Sequence, residues 1–577
     1  MRLGVNSPSR LRGGVYNRPA MKTLSRSFLS LISPRWRCGA RAGKPAVFLL
    51  LASASCLLLT AYGFPQESVR GKAEAWGSLS VTIVDHATGK PVPARCYLTD
   101  PTDQFWSPAG AINYVKPPER NFLTTGEFKI ALPPRVYKLV VERGPEYRAV
   151  TREIEIHAGE SREETVEIER WINMNSRGWY SGDLHNHRDW REMPQLLLAN
   201  DLNIAPTLTQ WVWEDNYASK APPVHTKAMA FKRVDDTHAY STEDTEIERL
   251  REGPGAVDLV GITAPISFGG YRLFPPNDTF AVRARKLSGY IDAEKITWRD
   301  SAALVALGDV DFAGIVHNHF NRHGVETETA PWGMIPKEKP EYETPVGMAL
   351  WTMDVYYKFL NCGFKLPVSA GSASGVKPSP LGFDRVYAHV KGKFGYRYWF
   401  NALKAGHSFA TNGPMLFLTV NGHEPGDTIS IPGGAGKTAR HIKVHAEVSS
   451  ARELDRVEII WKGQVVKSAA AAEPSTSLSA DYEFDASETG WIAARAFEKP
   501  GEVIRFAQTS PVYVHVAGSR GIVAEDVKFF LNWIDREMEF YKNLQGFKTE
   551  ADREAMLDFF RRGRAVYAGL LASTKKK

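Results

Sequence analysis

Two pairs of histidines share one spacing. The stretch "GWYSGDLHNHRDW", Gly178 to Trp190, carries His185 and His187 one residue apart, just after Asp183. Roughly 130 residues later "GIVHNHF" repeats the pattern with His317 and His319. Residues two apart on a strand point to the same side. Two imidazoles so placed can hold one Zn²⁺ or a similar ion, and two pairs with carboxylates can hold one or two. Such an ion activates water near neutral pH and polarises a carbonyl or phosphoryl oxygen. The alternative for each pair is a set of hydrogen-bonded structural histidines. Cysteine offers no competing site: the four are Cys38, Cys56, Cys96 and Cys362, with no CxxC spacing, so a metal must use His and carboxylates. No GxSxG elbow, phosphate loop or dinucleotide fingerprint is present.

The elements that must position these histidines lie between Trp171 and Met415. Apolar runs there follow stretches that read as helical: "MPQLLLANDL" then "NIAPTLT", "EDTEIERLRE" then "AVDLVGI", "WRDSAALVALGDV" then "DFAGIVHNH", "MDVYYKFLNCG" then "LPVSAGSAS". Such alternation predicts βα units and a largely parallel sheet or barrel. "YSGDLHNH" reads as a strand ending in a loop. Both histidine pairs then fall at strand ends, the face on which such barrels place catalytic groups.

"GDLHNH" resembles the opening metal motif of PHP-domain metallohydrolases, with the flavour of the carbaryl hydrolase-like (CehA/McbA) group. "YIDAEKITWRD", "VDFAGIVHNHF", "LPVSAGSASGV" and "GHSFATNGPM" follow in the order in which that family presents its strand ends. The resemblance covers roughly 171–415 and implies a distorted seven-stranded βα barrel holding one to three metals. It makes His185 and His187 ligands and His319 a downstream ligand, with His317 as its helper. It asks for a glutamate that Glu246 fits best, with Glu243 and Glu248 as rivals. Asp292 and Glu294 stand where the family often has a histidine, as substitute ligands or a general base. The chain also departs from the family. Gln210 and Trp211 replace an Asp-His pair, and Ala373 and Gly375 replace a closing D-x-H. The expectation is therefore one divalent ion (Zn, Mn or Fe) on His185, His187, Glu246 and His319, with Glu294, Asp292 and His317 as catalytic candidates. Arg188 reads as an anion contact or a structural ion pair, Ser372 as part of a substrate-contacting loop or a tight turn, and Asn318 as a substrate contact. Asn412 reads as a turn residue or a substrate contact. Trp211, Trp213, Trp332 and Trp351 would line a pocket or belong to the core.

Around this block the patterning changes. Short strands split by Pro and Gly over 77–170 predict a β-sandwich resembling the carboxypeptidase regulatory-like domain, with His86 and His157 on its surface. Strands over 416–517 predict a second sandwich, and two amphipathic helices occupy 518–577. The expected whole is a multidomain chain, a central α/β distorted barrel flanked by two β-sandwiches with a C-terminal helical tail. Residues 1–63 hold ten Lys/Arg and no acid; the +7 net charge less these ten leaves −3 for the rest, so no basic stripe argues for nucleic acid. Those residues, ending in the apolar run 46–61 and "AYG", read as an export signal, with Met21 as an alternative start and an uncleaved membrane anchor as the rival reading. The function expected is an exported, periplasmic or extracellular metal-dependent hydrolase acting on an amide, ester, carbamate or phosphoester of a small-molecule or polymer substrate. The alternative is a degenerate barrel that binds carbohydrate or envelope material without turnover.

Overall fold

Alternating burial along strand Gly77–Asp85 turns Leu79, Val81 and Ile83 to one side and Ser78, Ser80 and Thr82 to the other, the signature of a sheet with one covered face. In this computed structural model, which describes residues 75–217, 231–326, 338–433, 440–501 and 503–574, that strand lies between Glu127–Leu132 and Ser161–Ile168. A five-stranded sheet ordered Asn113–Lys116, Glu119–Thr124, Ala94–Thr99, Arg135–Glu142, Val150–Ile156 shares its core. The expected first sandwich is thus present. Cys96 is one of its core residues, His86 sits on its surface paired with Glu167 at 3.0 Å, and Cys96 and Cys362 are both buried free thiols. Residues 1–63 and Trp332 lie outside the described residues. No helix among the described residues is long and apolar enough to cross a membrane.

Helix Met193–Asn200 joins this sandwich to the central region, burying Met193, Leu196 and Leu197 with Leu123. Helices Ser301–Leu307 and Pro345–Asn361 precede strands Ala313–His317 and Val368–Gly371, as the alternation predicts, and those two strands pair in parallel. The stretch "EDTEIERLRE" does not follow the prediction. Thr245–Arg249 is a strand, antiparallel to Gly255–Val260, which is antiparallel to Tyr290–Asp292. The sheet is therefore mixed rather than largely parallel. The physical reason is visible in the residues. Thr245, Ile247 and Arg249 alternate with Glu246 and Glu248, and the Gly-Pro-Gly turn at 253–255 folds the chain back as a hairpin.

A twelve-stranded sheet runs from the central region into the second sandwich without a break: Ser408–Thr411 pairs with Phe506–Thr509, which pairs with Gly490–Glu498. Strands Met415–Val420, His441–Ser449 and Ser477–Asp485 form the facing sheet.

Helices Ala524–Asn543 and Glu550–Thr574 form a hairpin that belongs to the main core. Phe530 stacks on Phe359 at 4.0 Å between ring centroids, and the Trp533 indole N–H donates to the Arg299 carbonyl at 3.0 Å. Gly563 lets the last helix approach strand-preceding helix Ser301–Leu307, since a Cβ there would lie 2.8 Å from the Ala303 Cα. Phe530, Trp533 and Ile534 are the buried residues, while Phe529 is half-buried. Replacing Trp533 by Ala should cost about 3–5 kcal/mol. Urea unfolding followed by far-UV circular dichroism should show the main transition shifting as one; an early separate transition for the helices would mean they are an independent tail.

Candidate metal centre

Four adjacent strands bring side chains into one row. Gln210–Trp213 sets Trp211 beside Glu246, Glu246 stands opposite Asp258, and Asp258 stands opposite Asp292. Residues directly opposed across a ladder share a face, and like charges there repel. Glu246, Asp258 and Asp292 are 1%, 0% and 2% exposed, so water cannot screen them. Such a row calls for a cation or for carboxyls that keep their protons.

The histidines enter from the side. Strand Trp179–Gly182 ends before Asp183, so His185 and His187 lie on the irregular segment beyond it rather than on the strand. Asp183 holds that segment in place. Its carboxylate accepts the backbone N–H of His185 at 3.1 Å, of Ser372 at 3.0 Å and of Gly382 at 2.7 Å. The "SAGSASG" loop closes the other side. The Leu184 N–H donates to the Ala370 carbonyl and the His187 N–H to the Ser374 carbonyl, at 3.0 and 2.8 Å. A Cβ on Gly371 would overlap the His185 side chain, and one on Gly375 would lie 2.9 Å from the His187 carbonyl. The loop that sequence reading treats as a tight turn is therefore the surface on which both histidines rest.

His185 Nε2 and His187 Nε2 face each other at 2.9 Å, and the Glu246 carboxylate completes the triangle at 3.0 Å from His187 and 3.5 Å from His185. Ligand atoms of these three residues all lie within 4.8 Å of one another. Neither Glu246 oxygen meets a partner with hydrogen-bond geometry. Two imidazole nitrogens and a carboxylate brought together in this way could hold a divalent ion. Behind the ring, His185 Nδ1 lies 3.3 Å from Glu294 and 3.5 Å from Asp258. Carboxylates there favour the proton on Nδ1 and leave Nε2 for an ion.

The electrostatics follow from this crowding. Burial opposes the Glu246 charge, yet the two imidazoles hold it down at about 2. Burial also works against charge on His185, but Asp258 and Glu246 overcome it and raise the ring well above its usual value. His187 is lowered, chiefly by burial. Burial and neighbouring carboxylates push Asp258 well up, and burial brings Asp292 to about 7 despite the Ser369 hydroxyl it accepts at 2.7 Å.

The other predicted residues fall as follows. Glu294 is locked: Lys295 ion-pairs with it, Trp298 Nε1–H donates at 2.6 Å and Asn318 at 3.3 Å. Burial opposes its charge, but Lys295 and His185 hold it well below the usual carboxylate range, which makes it a weak base. Its backbone is left-handed, φ 45°, and only a glycine at 314 lets that backbone pass. Asp292, at about 7, is better matched to proton transfer near neutrality. His317 is brought down to about 3 by burial and then Lys295, so it is neutral, and its Nε2 has no hydrogen-bond partner. His319 stands outside the converging group, its Nε2 3.9 Å from Glu326. Asn318 contacts Glu294, not open solvent. Arg188 is the structural ion pair, with Glu192 at 2.7 Å and its guanidinium over Tyr114. The Ser372 hydroxyl is taken up by the backbone of Asp384. Asn412 is likewise structural, bonded to the backbone of Ile504 and Phe506. Trp211 packs on His187 at 4.8 Å and donates to Glu248 at 3.0 Å, Trp213 is 41% exposed, and Trp351 is core. Of the rival glutamates, Glu243 and Glu248 stay outside the triangle.

Sequence reading missed Asp258, Lys295 and Trp298. The signal for Asp258 was present: one acid inside the apolar strand "AVDLVGI" requires a partner.

No family model and no curated protein matches the chain. Among solved structures it is similar to the TIE protein of Bacillus anthracis (19% identity, 20% of each chain, TM-score 0.14). It is also similar to phospholipase PlaB from Legionella pneumophila (14%, 17% of this chain and 25% of that one, TM-score 0.12) and to the pilus-presented adhesin Spy0125 (13%, 17% and 27%, TM-score 0.12). The chain spans about a fifth to a quarter of their lengths, and at these TM-scores the likenesses carry no argument.

Two outcomes are expected. Gly371→Ala should lower stability by about 1–3 kcal/mol in denaturant melts, because the new methyl displaces His185, and should weaken metal binding at the same time. Affinity for Zn²⁺ should rise by about tenfold per pH unit while His185 must give up a proton. Its raised pKa carries that rise above the ordinary imidazole range before it levels off. Titration calorimetry in two buffers of different ionisation heat should count one proton released; no release would mean His185 is not a ligand.

Proposed function

We propose that the chain is a metal-dependent hydrolase whose one divalent ion sits on His185, His187 and Glu246. The observation that carries this reading is the convergence of two imidazole nitrogens and the Glu246 carboxylate at one place in the interior. The order of its strand-end motifs, which resembles that of PHP-domain metallohydrolases of the carbaryl hydrolase-like group, supports it, and the basic and apolar leader supports export. An ion held there supplies Lewis acidity towards a carbonyl or phosphoryl oxygen and acidifies water. The protein's own groups divide the remaining work. Asp258 and Glu294 orient His185, and Trp211 covers His187 against bulk water. Asp292 is the group matched to accept a proton, with Ser369 holding its carboxylate.

One ion rather than several fits the charges. Lys295 already supplies a fixed positive charge on Glu294, and the positions of the family's closing ligands are taken by Ala373 and Gly375, the latter against His187. Those same features favour the second reading, a barrel that binds without turnover.

Metal analysis of the purified chain separates the outcomes. Wild type should hold about one equivalent of Zn, Mn or Fe, His187→Ala should hold less than about a tenth of that, and His319→Ala should keep it. Absence of metal from folded wild type would sink the proposal. Stoichiometric metal with no hydrolysis of ester, amide, carbamate or phosphoester probes would move the balance to binding alone.

A further inference from the structure

A second charged place lies away from the metal centre, in a cleft of about 350 Å³ where the first sandwich, the loop carrying Arg322 and the second sandwich meet. Six arginines and two glutamates line it. Their pairings show which charges are already spent. Arg95 and Arg322 both close on Glu142, at 2.7 Å, and Arg322 is bidentate with a second contact at 2.8 Å. Arg385 is fully buried and spends its guanidinium on the carbonyls of Asn200, Asp201 and Gly382 and on the Ser181 hydroxyl. The other three are held more loosely.

Arg505 is the most telling of the three. It donates to the Asn412 carbonyl at 2.7 Å and stacks over Phe383 at 5.1 Å, while its ion-pair partner Glu498 stands off at 3.8 Å and also accepts the Ser450 hydroxyl at 2.6 Å. Burial, helped by repulsion from Arg452 and Arg322, outweighs the attraction of Glu498 and brings Arg505 down to about 10. Asp384, which also feels Arg505, is buried and pushed well above the carboxylate range, so it offers little charge in return. Arg452 is exposed at the rim, and Arg148 reaches Glu169 only at 3.4 Å. A guanidinium surplus in a partly enclosed, low-dielectric cleft attracts anions, and the planar fork suits the two oxygens of a carboxylate or phosphate.

We propose that this cleft is a binding site for a small organic oxyanion, carboxylate or phosphate. Arg505 is its anchor, Arg452 and Arg148 flank it, and Tyr147 and Phe383 face its organic body. A volume of this size accepts a compact metabolite rather than a polymer. The site does not depend on the metal reading.

Calorimetric titration of the full chain tests it, with inorganic phosphate and with citrate as probes, at ionic strength held constant with sodium chloride. Saturable binding of at least one probe is expected, and whichever binds more tightly identifies the oxyanion class. Arg505→Met should weaken binding by about tenfold, the usual worth of a charge-assisted hydrogen bond. Arg505 also supports the Asn412 loop, so Arg452→Gln at the exposed rim provides the independent check and should weaken binding by about threefold. Metal content should be unchanged in both variants, so failure here leaves the metal centre untouched. Absence of saturable binding by either probe, or equal affinity in wild type and Arg452→Gln, overturns the proposal.

Discussion

Like charges forced side by side in a dry place set the terms for the centre of this molecule. Strand register alone brings Glu246, Asp258 and Asp292 abreast, and each buried carboxylate left unpaired costs several kcal/mol. The protein meets that cost with His185 and Lys295 and with carboxyls that retain protons near neutrality. Each of these is a stand-in that a divalent ion can relieve. The arrangement is hard to explain as a stability device, because an apolar row of the same shape would pack at lower cost.

The precision of the site comes from backbone rather than side-chain packing. The His185 segment is not a strand, and only a single bridge, Asn186 to Ser374, and a few backbone bonds tie it to the neighbouring loop. Asp183 adds to them by collecting three backbone N–H groups, those of His185, Ser372 and Gly382. Gly371 and Gly375 permit a contact between backbone segments that any Cβ would prevent, and Gly314 does the same behind the left-handed Glu294. Strain and close approach therefore gather at the same few residues, the pattern expected where geometry serves a function.

The cleft around Arg505 obeys the same rule with the sign reversed. There the buried surplus is positive, and the acids near it are shared between two arginines, turned to a hydroxyl or neutral.

Much of the architecture was legible in local pattern. Period-two alternation marked the first sandwich, and the apolar stripe around Trp533 marked the last helices. Residue type and spacing singled out His185 and His187, and the family resemblance pointed to Glu246. The strand Thr245–Arg249 was not legible as one, because its Glu and Arg residues carry helix propensity and only the partner strands reveal that Glu246 and Glu248 share an inward face. For Ser372 and Arg188 the sequence left a substrate contact and a structural role both open, because their partners, Asp384 and Glu192, become evident only once the chain is folded.

The sequence by itself determined which residues could bind a metal, and which stretches must be covered by others, because donor chemistry and periodicity are local properties. Only the tertiary structure decided that Asp258 and Asp292 stand beside Glu246, that His319 turns towards Glu326, and that the glycine loop is the seat of both histidines. Those facts depend on strand register and on the distance between backbones far apart in the chain, and neither is written in any single stretch of residues.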